Sequence, residues 1–103
     1  MLESDSIEKG IAITALEQVM DPEIGLSVID LGLIYEINFK DEEVEVIMTL
    51  TTQMCPMGNS IMENVRLTMA QYFVNYTINV KLVFEPEWSH ENISIKGKEF
   101  LNS

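Results

Sequence analysis

The sequence holds a single cysteine and a single histidine, and only six Lys and Arg against seventeen Asp and Glu. Each scarcity removes a class of chemistry. One cysteine forms no internal disulfide and no dithiol redox pair, and one Cys with one His assembles no zinc site within one chain. A net charge of -11 repels phosphate backbones and anionic lipid headgroups, so neither nucleic acid nor a membrane is expected as a partner. No stretch approaches the roughly 18 consecutive apolar residues of a membrane span. Residues 1–10 are acidic and polar where a secretory leader would be basic and then apolar, which points to the cytoplasm. Repeats, low-complexity tracts and linkers are also missing, and 103 residues suit one compact domain spanning 1–103.

What is present is an alternation of two periodicities. Ser4, Asp5 and Ser6 offer an N-cap, with Glu8 three places after Asp5 as in a capping box. Ile11, Ala12, Ala15, Leu16, Val19 and Met20 then recur at helical spacing, and the helix is expected to run to Asp21, ahead of Pro22. After the loop "DPEIGLSVIDLG" the pattern becomes period two. Leu33, Tyr35, Ile37 and Phe39 fall on one face and Ile34, Glu36 and Asn38 on the other, "KDEE" at 40–43 reads as a turn, and Val44, Val46, Met48 and Leu50 alternate again, making an antiparallel hairpin. A second helix starts near Pro56 and ends near Tyr72 or Phe73, with Ile61, Val65 and Met69 on one face. Ile78, Val80, Leu82 and Phe84 form a third strand, parallel to the second because a strand, helix, strand crossover is right-handed within one sheet. Ser89 reads as the N-cap of a short last helix that Gly97 weakens. The expectation is an α/β (α+β) two-layer domain of order helix, strand, strand, helix, strand, helix, with a small mixed sheet.

On this plan Cys55 stands between the end of the second strand and the start of the second helix. Unpaired N–H groups and the positive end of a helix dipole favour a thiolate there, lowering its pKa and making the sulfur a better nucleophile and metal ligand. The opposing reading is a buried small hydrophobe. Any metal held within one chain would have to pair Cys55 with oxygen or imidazole donors, whereas two copies would present two thiolates. His90 lies in a polar stretch and is a weak candidate as base or ligand. Met54 and Met57 flank the thiol, although seven methionines suit core filling. Asp30 interrupts the apolar run "LSVIDLGLIY", so its carboxylate must find N–H donors or a cation; it either closes the loop or stands beside the thiol. Asp21 reads as a turn residue before Pro22.

Three stretches, "DPEIGLSVIDLGLIYEI" at 21–37, "MTLTTQMCPMGNSI" at 48–61 and "VFEPEWSHENIS" at 83–94, resemble in order and spacing the small metal-sulfur (iron-sulfur) cluster assembly factor family. That family includes the SUF-system accessory protein T, the D component of the phenylacetyl-CoA oxygenase system and the eukaryotic cytosolic iron-sulfur targeting adaptor. The resemblance places an Asp-Pro-Glu motif on Asp21, Pro22 and Glu23, and an Asp-Leu-Gly motif on Asp30, Leu31 and Gly32. It places the reactive cysteine on Cys55, followed by Pro56, Met57 and Gly58, and a Pro-x-Trp pair on Pro86 and Trp88. Met54 stands where many relatives have Gly, and Glu87 where many have Pro.

The resemblance implies a non-enzymatic accessory factor that carries iron or an iron-sulfur cluster transiently. Its partners would be the assembly machinery and recipient apo-proteins. Cys55 would be the metal ligand, with Asp30 and Thr51 as its neighbours at the binding site. A second copy of the chain, or a client, would complete the ligand set. The competing readings are a client-recruiting adaptor with an incidental thiol, and a thiol-based sulfur-transfer enzyme.

Overall fold

The computed structural model describes residues 3–22, 24–51 and 58–102. In order these form α1 (Glu3–Leu16), β1 (Ile34–Lys40), β2 (Glu43–Met48), α2 (Gly58–Tyr72), β3 (Thr77–Leu82), one 3₁₀ turn (His90–Asn92) and α3 (Ile95–Asn102). The sheet has order β1-β2-β3, with β1 and β2 antiparallel and β2 and β3 parallel. The expected α+β order and mixed sheet are borne out.

The layers follow from side-chain alternation. Val44, Val46 and Met48 of β2 are buried, as is Ile37 of β1, and they pack with Ala12 and Leu16 of α1 and Ile61, Val65 and Met69 of α2 in one core. Glu36, Asn38 and Lys40 of β1 and Asn79 and Lys81 of β3 point the other way and are exposed. One face of the sheet is therefore covered by α1 and α2, and the other stays polar. Phe39, Phe73 and Tyr76 close one corner of the core edge to face, with centroids 5.2 to 6.0 Å apart.

The first helix departs from expectation at both ends. Ser4 to Ser6 lie within α1, which is described from Glu3, and Glu8 accepts the Tyr76 hydroxyl. At the other end α1 stops at Leu16, well before Asp21. The Gln18 and Val19 N–H groups reach only three residues back, and the chain then turns aside to pair Met20 with Ser27 and to give the Val19 carbonyl to Val28 N–H. Backbone pairing across the loop, rather than Pro22, ends the helix. Met20 is accordingly 47% exposed, against its expected place on the buried face.

β1 begins at Ile34 and carries a bulge between Ile34 and Glu36, so Tyr35 steps out of the strict alternation and gives its hydroxyl to the Pro86 carbonyl at 2.7 Å. The hairpin turn is tight, with Asp41 at φ 54, a conformation that Asp tolerates better than most residues. β2 ends at Met48, short of Leu50, and β3 ends at Leu82, short of Phe84. α2 is described from Gly58, and the expected start near Pro56 lies outside the described residues.

The last helix is in two pieces. Ser89 precedes the 3₁₀ turn without a side-chain cap bond, while Ser94 caps α3 by accepting Gly97 N–H on its Oγ at 3.0 Å. Gly97 is there for packing: a Cβ on it would lie 2.8 Å from Ile93 Cγ2.

Candidate functional site

The N-terminal end of β1 and the C-terminal ends of β2 and β3 lie together at one end of the sheet, as the pairings Ile34 with Met48 and Met48 with Leu82 require. In α/β folds ligands gather outside the carboxyl ends of parallel strands. Three segments meet there: the 27–32 turn, the exit of β2 and the 83–94 return.

The 27–32 turn is wound by its own backbone. Leu31 N–H donates to the Ser27 carbonyl, Gly32 N–H to the Ile29 carbonyl, and Asp30 N–H to Ser27 Oγ at 3.0 Å. Gly32 adopts φ +73, and a Cβ on it would lie 2.2 Å from the Asn92 carbonyl oxygen. Only a glycine lets the return segment come so close. Asp30 accepts the Ser94 hydroxyl on Oδ1 at 3.0 Å and gives its carbonyl to Ser94 N–H at 2.8 Å. Trp88 Nε1 donates to the Leu31 carbonyl at 2.6 Å. Two segments 64 residues apart in sequence are thus tied through side chain and backbone alike. Asp30 is half-buried, and it also lines an open cavity of ≈ 350 Å³ with Ser27, Lys96 and Phe100.

Asp21 is buried and performs the turn role expected of it. Its Oδ1 accepts Ile24 N–H at 3.1 Å and its carbonyl accepts Gly25 N–H. Beyond β2, Thr49 N–H donates to the Leu33 carbonyl at 2.8 Å, which extends the hairpin by one step and carries Leu50 and Thr51 out at this end. Thr51 is half-buried and is the last described residue before α2. Cys55, with Met54, Pro56 and Met57, lies outside the described residues, as does Glu23. Of the expected neighbours, Asp30 is held by Ser27 and Ser94, and Thr51 stands at the entry to the cysteine segment. His90 is exposed and packs edge to face on Trp88, with centroids 5.4 Å apart. Among the described residues no three of His, Cys, Asp and Glu are grouped to hold a metal ion.

Two residues at this end escaped sequence reasoning. Ser94 is both cap and Asp30 partner; its place two residues before a lysine and three before a glycine resembled any loop serine. Thr49 is fully buried, and its Oγ1 has no hydrogen-bond partner among the described residues. Nothing in the alternating run that leads up to it marks this threonine hydroxyl as lacking a partner among the described residues.

Residues 12–74 match the model of the family described as iron-sulfur cluster assembly protein. The chain belongs to that family. It is 39% identical over 81 residues to the Fe-S protein maturation auxiliary factor SufT of Staphylococcus aureus, covering 78% of this chain and 92% of that one. It is 33% identical over 85 residues to the auxiliary factor YitW of Bacillus subtilis, covering 82% and 83%. Among solved structures, a domain of unknown function from Bacillus anthracis aligns over 90% of both chains with a TM-score of 0.86 and 30% identity. In this iron-sulfur assembly protein no helix among the described residues is long and apolar enough to cross a membrane.

Proposed function

We propose that this chain is an accessory factor in iron-sulfur protein maturation, passing iron or a cluster as cargo to recipient apo-proteins, with Cys55 as the sulfur that engages it. The single observation that carries the reading is family membership across residues 12–74, a span that includes the Cys55, Pro56, Met57, Gly58 motif. Both named relatives are auxiliary factors in the same process, which favours a non-catalytic role. The position of the motif between β2 and α2 fits a thiolate used as a ligand: it joins the carboxyl end of the central strand to the start of a helix.

The donor chemistry limits how the cargo is held. Iron-sulfur clusters take thiolates at several irons, and one chain supplies one. The remaining ligands come from a second copy or from the recipient, and binding is therefore transient. On this reading Thr51, the last described residue before the cysteine segment, and Asp30 would supply polar neighbours to the sulfur. Anaerobic reconstitution with iron and sulfide is expected to give charge-transfer absorption in the wild type and to lose it in Cys55→Ser. Equal iron and sulfide content in the two proteins would overturn the ligand role.

A further inference from the structure

Among the described residues only β2 pairs with β1, which is therefore an edge strand. Its free side is open. Ile34, Tyr35, Glu36, Ile37 and Asn38, consecutive residues whose side chains serve both faces, all line one cavity of ≈ 370 Å³ with Lys9, Ile13 and Ile29. A cavity lined in this way lies along the strand's free edge, where alternate backbone N–H and C=O groups point outward. Ile13 is 42% exposed beside it. Such an edge accepts an added strand.

The usual protections are confined to the ends. The bulge sits at Tyr35 and the left-handed Asp41 closes the other end, leaving 36–40 in unbroken register with β2. If a second copy lays its own regular stretch antiparallel along this one with full overlap, the two must be centred on Asn38. That register sets Glu36 against the partner's Lys40, and Lys40 against the partner's Glu36. Ile37 meets the partner's Phe39 on the core side, and the two Asn38 amides meet on the polar side. Moving the centre one residue onward would oppose Glu36 to Glu42, and moving it one residue back would oppose Lys40 to Ile34. Only the central register pairs opposite charges, and it does so twice. For a chain of net charge -11, which repels its own copies at long range, this is a specific local compensation.

We propose that two copies associate through antiparallel pairing of β1 about Asn38, joining their two three-stranded sheets into one continuous sheet. The association does not depend on the role of Cys55, and it supplies the second chain that a one-thiol carrier requires. Sedimentation equilibrium of the full chain from micromolar to millimolar concentration tests it. The wild type is expected to dimerise with rising concentration. Glu36→Lys is expected to weaken the dimer about tenfold or more, because two attractions become two repulsions. Lys40→Glu should do the same, although Lys40 also faces Glu43 of β2, so Glu36→Lys is the cleaner variant. The double exchange E36K/K40E is expected to restore dimerisation, with circular dichroism confirming that each variant is folded. A wild type that stays monomeric throughout, a dimer indifferent to the single reversals, or a double exchange that fails to recover would each overturn the proposal. Cys55→Ser is expected to dimerise like the wild type, which separates this result from the test of the thiol.

Discussion

Ser94 donates its hydroxyl to Asp30 Oδ1 at 3.0 Å while its N–H reaches the Asp30 carbonyl at 2.8 Å. The same Oγ accepts Gly97 N–H, so one serine starts α3 and anchors it to the 27–32 turn. The carboxylate that interrupts an apolar run thereby receives a donor, and burial of its loop becomes affordable in free energy. The Asp-Leu-Gly motif is thus, in the first instance, a docking point for the C-terminal segment, and that docking shapes the end of the sheet from which the cysteine segment departs.

Ser94→Ala removes both a helix cap and a charge-assisted bond. A cap is worth ~1 kcal/mol and a hydrogen bond to a charged group about 1.5 kcal/mol or more. A loss of about 2.5 kcal/mol is expected in urea unfolding. Hydrogen exchange should speed up first in α3. A variant as stable as the wild type would show that the pair is ornamental.

Gly32→Ala should be more damaging. Its φ of +73 is strained for any side chain, and the added Cβ would sit 2.2 Å from the Asn92 oxygen. Strain and displacement together are expected to cost about 3 kcal/mol or more. Trp88, the sole tryptophan, reports on the consequence: its fluorescence should shift toward that of a solvated indole as the return segment lifts away. Unchanged emission would mean that the segment tolerates the insertion.

Tyr76 gives a pH-dependent prediction. Its hydroxyl donates to Glu8 Oε2 at 2.7 Å, and that bond, with some desolvation and the charges of Glu8 and Glu42, holds the phenol pKa above its ordinary 10.0. A group whose folded pKa is raised contributes stability that is fully present below the unfolded value and is lost as pH rises through the folded value. Stability should therefore decline in the alkaline range above 10.0, and Tyr76→Phe should flatten that decline. Phenolate absorbance of wild type against Tyr76→Phe, compared through the same range, checks the shift directly. If the phenol missing from the Tyr76→Phe curve were one that titrates at 10.0 or below, the shift would be refuted.

Thr49→Val is expected to stabilise. The Thr49 Oγ1 is fully buried without a partner among the described residues, and replacing an unsatisfied hydroxyl by a methyl recovers about 1 kcal/mol. A rise in the urea midpoint at unchanged slope is the expected readout. A loss of stability would show that the hydroxyl is engaged.

Several features were legible from the chain alone because they rest on local rules. The period-two runs at β1, β2 and β3, the helical spacing of Ile61, Val65 and Met69, and the parallel crossover all followed from side-chain periodicity and chain handedness. So did the turn role of Asp21, which needs only its near neighbours. The motif that marks the family, around Cys55, was likewise visible in the residues themselves.

What only the tertiary structure decided depends on contacts between distant segments. α1 ends at Leu16 because Val19 and Met20 find backbone partners at Val28 and Ser27, a competition no local propensity encodes. Ser94, not Ser89, caps the last helix, since its hydroxyl is held in place by Asp30. Gly32 and Gly97 are required by what lies against them, Asn92 and Ile93, and not by a wish for flexibility. The open edge of β1 is of the same kind. Its alternating residues were readable in the chain, but whether a neighbour covers the strand is settled only when the sheet is assembled, and among the described residues the sheet leaves one side of it free.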